Sequence, residues 1–172
     1  LEMLKIPYTF SGVLASALAM DKFRLCEFVR GQGIKVPKGI LLSRVAAGLQ
    51  PAQYDGTRRL KPATTLLKEI GFPCVVKPNR LGSSVGITVN IKDARELRAA
   101  LKLSFHYDPE ALVEEYIKGR EITASVLGNE KPRALPLIEI VAKIGSFYNY
   151  ESKYADGGSA HIIPAPLSKM LT

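Results

Sequence analysis

The sequence has few of the residues that metal and redox sites use most. Among 172 residues there are two cysteines and two histidines, and neither pair has the spacing of a metal-binding or redox motif. Cys26 and Cys74 lie in apolar surroundings, so we expect both to be buried free thiols in a reducing compartment. His106 and His161 stand alone and are assigned no chemistry. We therefore predict no metal ligands within this chain.

Long apolar runs, internal repeats and low-complexity tracts are also missing from the sequence. No apolar run reaches the ~18 residues that a membrane-spanning helix needs, and the N-terminus lacks the basic-then-apolar order of a signal peptide. We therefore expect a cytoplasmic protein without a membrane partner. Apolar residues nevertheless make up 47% of the chain, which is enough for a buried core in one ordinary domain or two small lobes.

The chain is basic, with a formal net charge of +8, which suggests an anionic partner such as nucleic acid, a membrane surface or a phosphorylated small molecule. The basic residues are dispersed, and the densest cluster, Arg58, Arg59 and Lys61, has no aromatic residue between its members. Nucleic-acid-binding surfaces concentrate their charge on one face, so we do not expect a nucleic-acid partner.

Helical and strand patterns follow one another along the chain and predict an α+β fold with mixed or antiparallel sheets. Helices are predicted at residues 11–20, 21–30, 63–70 and 94–103, and strands at residues 39–42, 73–78, 87–91, 111–117, 121–127 and 133–141. Asp21 and Asp93 are predicted N-caps, the second with Glu96 in a capping-box-like arrangement. Residues 45–61 are typical of a surface excursion, and from Gly145 onward we expect a functional loop.

The first candidate binding motif is the loop at residues 79–86, NRLGSSVG. Gly82 and Gly86 would let the backbone approach an anion closely, and Ser83 and Ser84 carry hydroxyl and amide donors. The spacing differs from that of Walker A loops and dinucleotide fingerprints, and a strand follows instead of a helix. Taken alone, the loop fits an ordinary Gly-rich hairpin as well as a phosphate site.

The lysine that precedes this loop favours the phosphate interpretation. Lys77 ends the apolar segment VVKP, where a buried ammonium needs an anion as its partner. A lysine is a compact positive charge suited to phosphate oxygens. The alternative is a lysine whose stem crosses apolar surface while its ammonium stays in solvent.

Glu114, Glu115 and Glu121 form a second candidate group. Adjacent strand residues point to opposite faces, so one of Glu114 and Glu115 is expected to face inward and to need a hydroxyl or amine partner. Glu121 follows the turn at residues 118–119 and could bring another carboxylate to the same cleft. Each carboxylate taken alone also fits a solvated acidic edge.

A third candidate group lies in the segment FYNYESKYADGG. Tyr148, Tyr150 and Tyr154 combine apolar rings with hydroxyl donors, as binding loops often do, and Lys153 could be a further phosphate contact. The glycines at 157–158 would give a lid its hinge. An ordinary glycine-containing surface loop is the alternative.

Four motifs in this order, PYTFSGVLASALAMDK, VVKPNRLGSSVG, LVEEYIKGREITASVLG and FYNYESKYADG, resemble the D-alanine–D-alanine ligase family of the ATP-grasp superfamily. The resemblance spans nearly the whole chain. It implies residues 1–10 as the tail of an N-terminal domain, 11–118 as the central ATP-grasp lobe and 119–172 as an incomplete C-terminal lobe, with ATP between the last two lobes.

The resemblance also implies roles for individual residues. The expected ATP-binding set is Lys22, Lys77, Gly82, Ser83, Ser84, Val85, Gly86, Glu114, Glu115, Tyr116, Ile117, Glu121, Tyr148 and Lys153. The three lysines correspond to phosphate contacts, and residues 82–86 to a flap that closes over the phosphates. Glu114 and the backbone of residues 115–117 correspond to the adenine-binding hinge, and Glu121 to the carboxylate on the ribose hydroxyls.

Ser83 and Tyr154 correspond to catalytic-site residues that orient the D-alanine substrate. In the implied reaction the carboxylate of one D-alanine attacks the γ-phosphate of ATP to give an acyl phosphate, and the amine of a second D-alanine then displaces phosphate. The product, D-alanyl-D-alanine, serves peptidoglycan synthesis. Tyr154 indicates an amine as the second substrate and disfavours D-lactate.

The resemblance further implies Mg2+, with Mn2+ as an alternative ion, bridging the ATP phosphates. The magnesium ligands are expected beyond Thr172, so the chain by itself is expected to be catalytically incomplete, and the full-length protein is expected to be a homodimer. Two other interpretations stay open: another ATP-grasp carboxylate–amine ligase, and a catalytically silent nucleotide-binding module.

Overall fold

The computed structural model describes residues 1–44, 68–143 and 153–168, and the chain forms two compact units. The first comprises Leu1–Gly82 and Gly86–Tyr116, and the second comprises Ser83–Val85 and Ile117–Thr172. The α+β class is confirmed, with helices and antiparallel sheets. The three-part division implied by the resemblance stays a prediction.

Within the described residues the first unit contains the helices α1 (Val13–Met20), α2 (Lys22–Gly31) and α3 (Ala94–Tyr107), after a short 3-10 turn at Glu2–Leu4. Helix α1 begins two residues later than predicted because Gly12 holds an extended conformation at the N-cap. Helix α3 runs past the predicted end at residue 103 because Phe105 continues its buried stripe. Of the predicted helix at residues 63–70, only residues 68–70 are described, and they are helical.

Both predicted N-caps are confirmed. Asp21 accepts a hydrogen bond of 3.1 Å from a backbone N–H in the first turn of α2. Asp93 accepts from the N–H groups of Arg95 and Glu96, each at 2.8 Å. The Glu96 carboxylate accepts from the N–H of Lys92 at 2.7 Å, so this capping arrangement reaches one residue farther back than the usual box.

The first unit is built on a four-stranded antiparallel sheet in the order β1-β4-β2-β3. The strands are β1 (Gly39–Ser43), β2 (Cys74–Pro78), β3 (Thr88–Ile91) and β4 (Glu110–Glu115). The predicted hairpin is confirmed, because β2 and β3 pair directly, with a register shift between Cys74 and Val76.

Helix α3 packs on one face of this sheet and forms the core with it. Alternate strand residues share a face, and Val76 and Val113 point to this one with Cys74 and Ala111. On α3 the buried positions recur with the 3.6-residue period of a helix: Leu97, Ala100, Leu101, Ser104 and Phe105. This interface supplies most of the apolar burial in the described chain.

The cysteine expectation is correct for one residue only. Cys74 lies fully inside this core, and burial raises the pKa of its thiol to about 11. Cys26 is half-buried on α2. Burial, followed by the negative charge of Glu114, also raises the pKa of Cys26, so the prediction of two buried thiols was wrong for Cys26.

The second unit contains a three-stranded sheet in the order β5-β8-β9 and a two-stranded sheet of β6 and β7. The strands are β5 (Glu121–Thr123), β6 (Val126–Leu127), β7 (Arg133–Ala134), β8 (Ile138–Ala142) and β9 (Ser159–Ile162). The predicted strands at residues 121–127 and 133–141 are therefore each divided in two. Pro136 lies at the second division, and a proline has no N–H to donate to a ladder.

Strand β9 contradicts the prediction of a loop from Gly145 onward. Its four residues pair with Glu139–Ala142 of β8, and the ladder, rather than any local pattern, determines their conformation. The excursion predicted at residues 45–61 lies outside the described residues. No helix in the described part of the chain has both the length and the apolar character needed to cross a membrane.

Candidate nucleotide-binding site

Lys77 and Glu114 form an ion pair on the sheet face opposite α3. Lys77 stands opposite Leu112 in the β2–β4 register, and Glu114 is two residues along β4, so the pair are diagonal neighbours on one face. The Glu114 side chain is 6% exposed and the Lys77 side chain 25% exposed. A carboxylate of the protein itself thus supplies the anion that a lysine at this position was expected to need.

The opposite orientations of Glu114 and Glu115 are confirmed. Glu114 is buried, whereas the Glu115 carboxylate accepts from the N–H of Lys38 at 2.8 Å. The N–H of Glu115 donates to the carbonyl of Lys38 at 3.0 Å, and the N–H of Tyr116 donates to the carbonyl of Pro73 at 3.1 Å. The adenine contacts predicted for residues 114–117 stay a prediction.

Lys22 is the first residue of α2, and its ammonium reaches the loop that follows β2. Its Nζ donates to the carbonyl of Asn79 at 3.2 Å and also contacts the carbonyl of Leu81. Burial lowers the pKa of Lys22, and the positive charge of Lys77 lowers it further. Two of the lysines predicted to bind phosphate therefore lie close enough to repel each other.

In the predicted flap, Ser83, Ser84 and Gly86 have left-handed backbone conformations. Ser83 and Ser84 have φ values of 52° and 59°, which costs roughly 1 kcal/mol or more for each residue that is not glycine. At Gly86 φ is +70°, and a Cβ would lie 2.7 Å from Cδ2 of Tyr107. At Gly82 a Cβ would meet nothing within 4 Å. Of these two flap glycines, Gly86 is therefore the one that the fold itself requires.

Ser83 and Tyr154, the two predicted catalytic-site residues, are brought together in the second unit. Their hydroxyl oxygens lie 2.8 Å apart although the residues are 71 positions apart in sequence. Tyr154 is an exposed residue, 61% accessible to solvent. The role of this pair in orienting D-alanine stays a prediction.

For Glu121 and Lys153, two of the remaining predicted ATP contacts, the structure gives the position of the residue. Glu121 is the exposed first residue of β5 and pairs with Ile140. Lys153 is half-buried in the second unit, and Tyr148 lies outside the described residues. Convergence of these residues with the lysines of the first unit stays a prediction.

Sequence reasoning included Asn79 in the candidate loop but missed the structural role of its side chain, which is fully buried. Its side-chain oxygen accepts from the N–H of Phe23 at 3.0 Å, and its side-chain nitrogen donates to Asp21 at 3.0 Å. An asparagine directly after a strand is a signal for a cap or turn. Its partners, however, lie 56 and 58 positions away, so the sequence could not name them.

Sequence reasoning also missed a bidentate ion pair in the second unit. Arg120 donates to the two carboxylate oxygens of Glu139, each at 2.5 Å, and to the carbonyl of Pro166 at 3.1 Å. The hydrogen bond from Arg120 holds the pKa of Glu139 below its ordinary range. This pair holds the chain immediately before Glu121 against β8.

A metal centre is a separate question from these contacts. Within residues 1–44, 68–143 and 153–168, no three His, Cys, Asp or Glu side chains come together in a way that could hold a metal ion. The Mg2+ and Mn2+ implied by the resemblance therefore stay a prediction.

The fold defines the class of protein to which this chain belongs. Helices on antiparallel sheets, with a lysine as the penultimate residue of the strand before the Ser/Gly loop, form part of an ATP-grasp fold. The family model described as D-ala D-ala ligase C-terminus matches residues 45–172, and the chain belongs to this family. The resemblance seen in the four motifs is thereby confirmed.

Individual relatives support the same assignment. A D-alanine--D-alanine ligase from Pelotomaculum thermopropionicum is 46% identical over 164 residues, which cover 95% of this chain and 49% of that relative. The VanG D-Ala:D-Ser ligase from Enterococcus faecalis has a TM-score of 0.76 at 32% identity, covering 98% of this chain and 45% of its own. A Bacillus anthracis D-alanine--D-alanine ligase complexed with ATP has a TM-score of 0.66 at 32% identity, covering 99% and 48%.

The comparisons also show how much of each relative's length this chain matches. The chain spans about half the length of the curated relatives that it matches. Each relative's activity is therefore a property of a protein about twice as long as this chain.

Proposed function

We propose that this chain binds ATP and forms part of an ATP-dependent ligase that joins two D-alanines into D-alanyl-D-alanine for peptidoglycan synthesis. The observation that carries the proposal is that the Lys22 ammonium is bound at the start of the loop that follows β2, the strand that contains Lys77. The family match and the similarity to a ligase complexed with ATP support it.

Electrostatics explains why this pair suits a phosphate. Two ammonium groups close together repel each other. Glu114 forms an ion pair with Lys77, and the charges of Asp108, Glu114 and Asp21 offset the effects of burial and of Lys77 on Lys22 only in part, so that the pKa of Lys22 stays lowered. A polyphosphate beside both lysines would relieve the remaining repulsion and would form charge-assisted hydrogen bonds, which are about twice as strong as neutral ones. The lysines would therefore bind the phosphates of ATP.

We propose that the other site residues contact the ribose and adenine of the same ATP molecule and the first D-alanine. Glu121 would accept from the ribose hydroxyls, and the backbone near Ile117 would contact adenine. The hydroxyl pair of Ser83 and Tyr154 would orient the first D-alanine, whose carboxylate attacks the γ-phosphate of ATP to form an acyl phosphate and release ADP. The amine of the second D-alanine then attacks the acyl carbon and releases phosphate, completing the peptide bond.

Magnesium, when bound, would neutralise charge on the phosphates. This chain's part in the reaction is positioning: it holds phosphates on Lys22 and Lys77 and excludes water where a flap covers them. We also propose, from the family resemblance, that the full-length protein is a cytoplasmic homodimer. Light scattering coupled to gel filtration would measure its mass.

Thermal unfolding with and without nucleotide tests the phosphate assignment. Saturating ATP should raise the melting temperature of the chain more than adenosine does, because only ATP reaches the lysines. Lys22→Ala and Lys77→Gln should each weaken ATP binding about tenfold or more, the value of one lost charge-assisted contact. Each variant is compared with its own nucleotide-free melting temperature, because Lys77→Gln also leaves the buried Glu114 without its cation.

Lys102→Ala is the matched control, since Lys102 is an exposed lysine of α3 in the same unit. Its response to ATP should equal that of the unsubstituted chain. An unchanged response to ATP in both Lys22→Ala and Lys77→Gln would remove the phosphate assignment.

The similarity to a D-Ala:D-Ser ligase favours D-serine as a second candidate amine. In a protein that carries this chain at the full length of its relatives, phosphate release from ATP should require D-alanine. If D-alanine is both the first and the second substrate, adding D-serine should leave the product unchanged. Mass spectrometry of the dipeptide distinguishes D-alanyl-D-alanine from D-alanyl-D-serine. Nucleotide binding without D-alanine-dependent phosphate release would indicate the catalytically silent module.

A further inference from the structure

We infer that Asn79 is a positioning residue that holds Lys22, and through Lys22 the nucleotide phosphates, in register with the loop after β2. The inference rests on the proposed function. Its starting point is a fully buried asparagine whose side chain and carbonyl both bind the first turn of α2.

Asn79 caps α2 from another part of the chain. The first N–H groups of a helix have no partner within the helix. In α2 the N–H of Lys22 donates to the carbonyl of Asn79 at 3.1 Å, and the N–H of Phe23 donates to its side-chain oxygen at 3.0 Å. The next N–H, of Arg24, donates to Asp21. One residue of the phosphate loop thus satisfies two of the orphan donors.

The same residue fixes the ammonium group of Lys22. Nζ donates to the Asn79 carbonyl at 3.2 Å and contacts the carbonyl of Leu81. Main chain and side chain of Lys22 are therefore bound to the same three-residue segment of the loop. The distance between the Lys22 and Lys77 ammonium groups then depends on how firmly this segment holds the helix.

The segment is itself anchored on its other side. The N–H of Asn79 donates to the carbonyl of Glu110 at 3.0 Å, and the N–H of Arg80 donates to Asp108 at 2.8 Å. The Arg80 guanidinium lies among the carboxylates of Asp21, Asp108 and Glu110. These contacts fix the first residues of the loop, and the hydrogen bonds of Asn79 connect α2 to them.

Removing the Asn79 side chain would remove two of the hydrogen bonds between this loop and the start of α2. The N–H of Phe23 would lose its acceptor, and the Asp21 carboxylate would lose the donor that the Asn79 amide supplies. The first turn of α2 would keep the contacts of Lys22 with the loop carbonyls and of Asp21 with Arg80, but it would lose both hydrogen bonds to the Asn79 side chain. Lys22 would then sample positions away from the phosphates, while the rest of the nucleotide site would be unchanged.

A double-mutant cycle with two ligands tests this coupling. Dissociation constants for ATP and for adenosine are measured by calorimetry on the chain, on Asn79→Ala, on Lys22→Ala and on the double variant. Asn79→Ala should weaken ATP binding about tenfold, the size of coupling typical within one hydrogen-bond network, and should leave adenosine binding unchanged. In the Lys22→Ala background the same change should alter ATP binding by less than about twofold.

Asp93→Ala is the matched control, because it removes the N-cap of α3 in the same unit away from Lys22. It should lower the melting temperature without changing the ratio of the ATP and adenosine dissociation constants. If Asn79→Ala does not fold, Asn79→Ser is measured in its place, since a serine hydroxyl is too short to reach both Phe23 and Asp21.

The outcomes separate this inference from the proposed function. If the unsubstituted chain binds ATP no more tightly than adenosine, both fail. If the chain prefers ATP and Asn79→Ala keeps the whole preference, the inference alone is overturned. Equal weakening by Asn79→Ala with and without Lys22 would also overturn it, because Asn79 would then act independently of Lys22.

Discussion

At the scale of single residues, two glycines in one loop have different reasons to be glycine. Gly86 combines a φ of +70° with contacts that would place an added Cβ 2.7 Å from the Tyr107 ring and 2.9 Å from the Pro78 ring. Gly82 has open space around its Cα. The first is required by packing, whereas any requirement at the second would come from the backbone's approach to a ligand.

Gly86→Ala should lower the free energy of unfolding by about 2 kcal/mol or more, because left-handed strain and overpacking add. Gly82→Ala should change it by less than about 0.5 kcal/mol, as surface substitutions usually do. Urea unfolding followed by circular dichroism measures both. Equal effects of the two substitutions would contradict the packing argument.

At the scale of elements, the Arg120–Glu139 pair joins the start of β5 to β8. The Glu139 side chain is 12% exposed, and its bidentate partner also donates to the carbonyl of Pro166. The pair therefore connects three segments of the second unit that are distant in sequence. Its strength depends on pH through the carboxyl group of Glu139.

The pH dependence of this pair has a definite sign. The pKa of Glu139 in the folded chain lies below its ordinary value of 4.5, so its stabilising effect is complete above pH 4.5 and is lost as the pH falls through the folded pKa. Glu139→Gln should therefore lower the melting temperature of the second unit at pH 7, and the difference from the unsubstituted chain should shrink on acidification below pH 4.5.

Glu130→Gln, at an exposed turn position of the same unit, is the control for loss of a carboxylate and should leave the melting temperature nearly unchanged. A difference between Glu139→Gln and the unsubstituted chain that stayed constant down to pH 3 would show that Glu139 acts without its charge.

At the scale of the whole molecule, apolar burial is unevenly divided. Among the described residues, every fully buried apolar side chain except Ala165 belongs to the first unit. Since apolar burial is the main source of stability, the second unit should open at a lower free energy than the first. Local stability of this kind is visible in amide hydrogen exchange.

Amides in the β2–β4 ladder should therefore exchange at least about tenfold more slowly than amides in the β8–β9 ladder. Both sets are hydrogen-bonded between antiparallel strands, so the comparison isolates burial from hydrogen bonding. Mass spectrometry of peptides from the two ladders measures the rates. Equal protection in the two ladders would mean that the second unit is stabilised by more than its described core.

Much of the local structure was predictable because its causes are local. Asp21 and Asp93 are caps for reasons contained in their own helices, and the β2–β3 hairpin follows from two apolar segments around a Gly-containing loop. Strand β9 was not predictable, because its conformation depends on pairing with β8. The division of the predicted strands also depends on pairing, because β5 pairs with β8 whereas β6 pairs with β7.

The sequence by itself determined the family, the α+β class and the kinds of side chain that a phosphate site needs, because these depend on motif order, periodicity and chemical type. Only the tertiary structure decided which side chains meet: Lys77 with Glu114, Ser83 with Tyr154, and Lys22 with the carbonyl of Asn79. Each of these contacts joins residues at least 37 positions apart. The reason is physical: a hydrogen bond or ion pair depends on distances of a few ångströms, and only the folded backbone sets those distances.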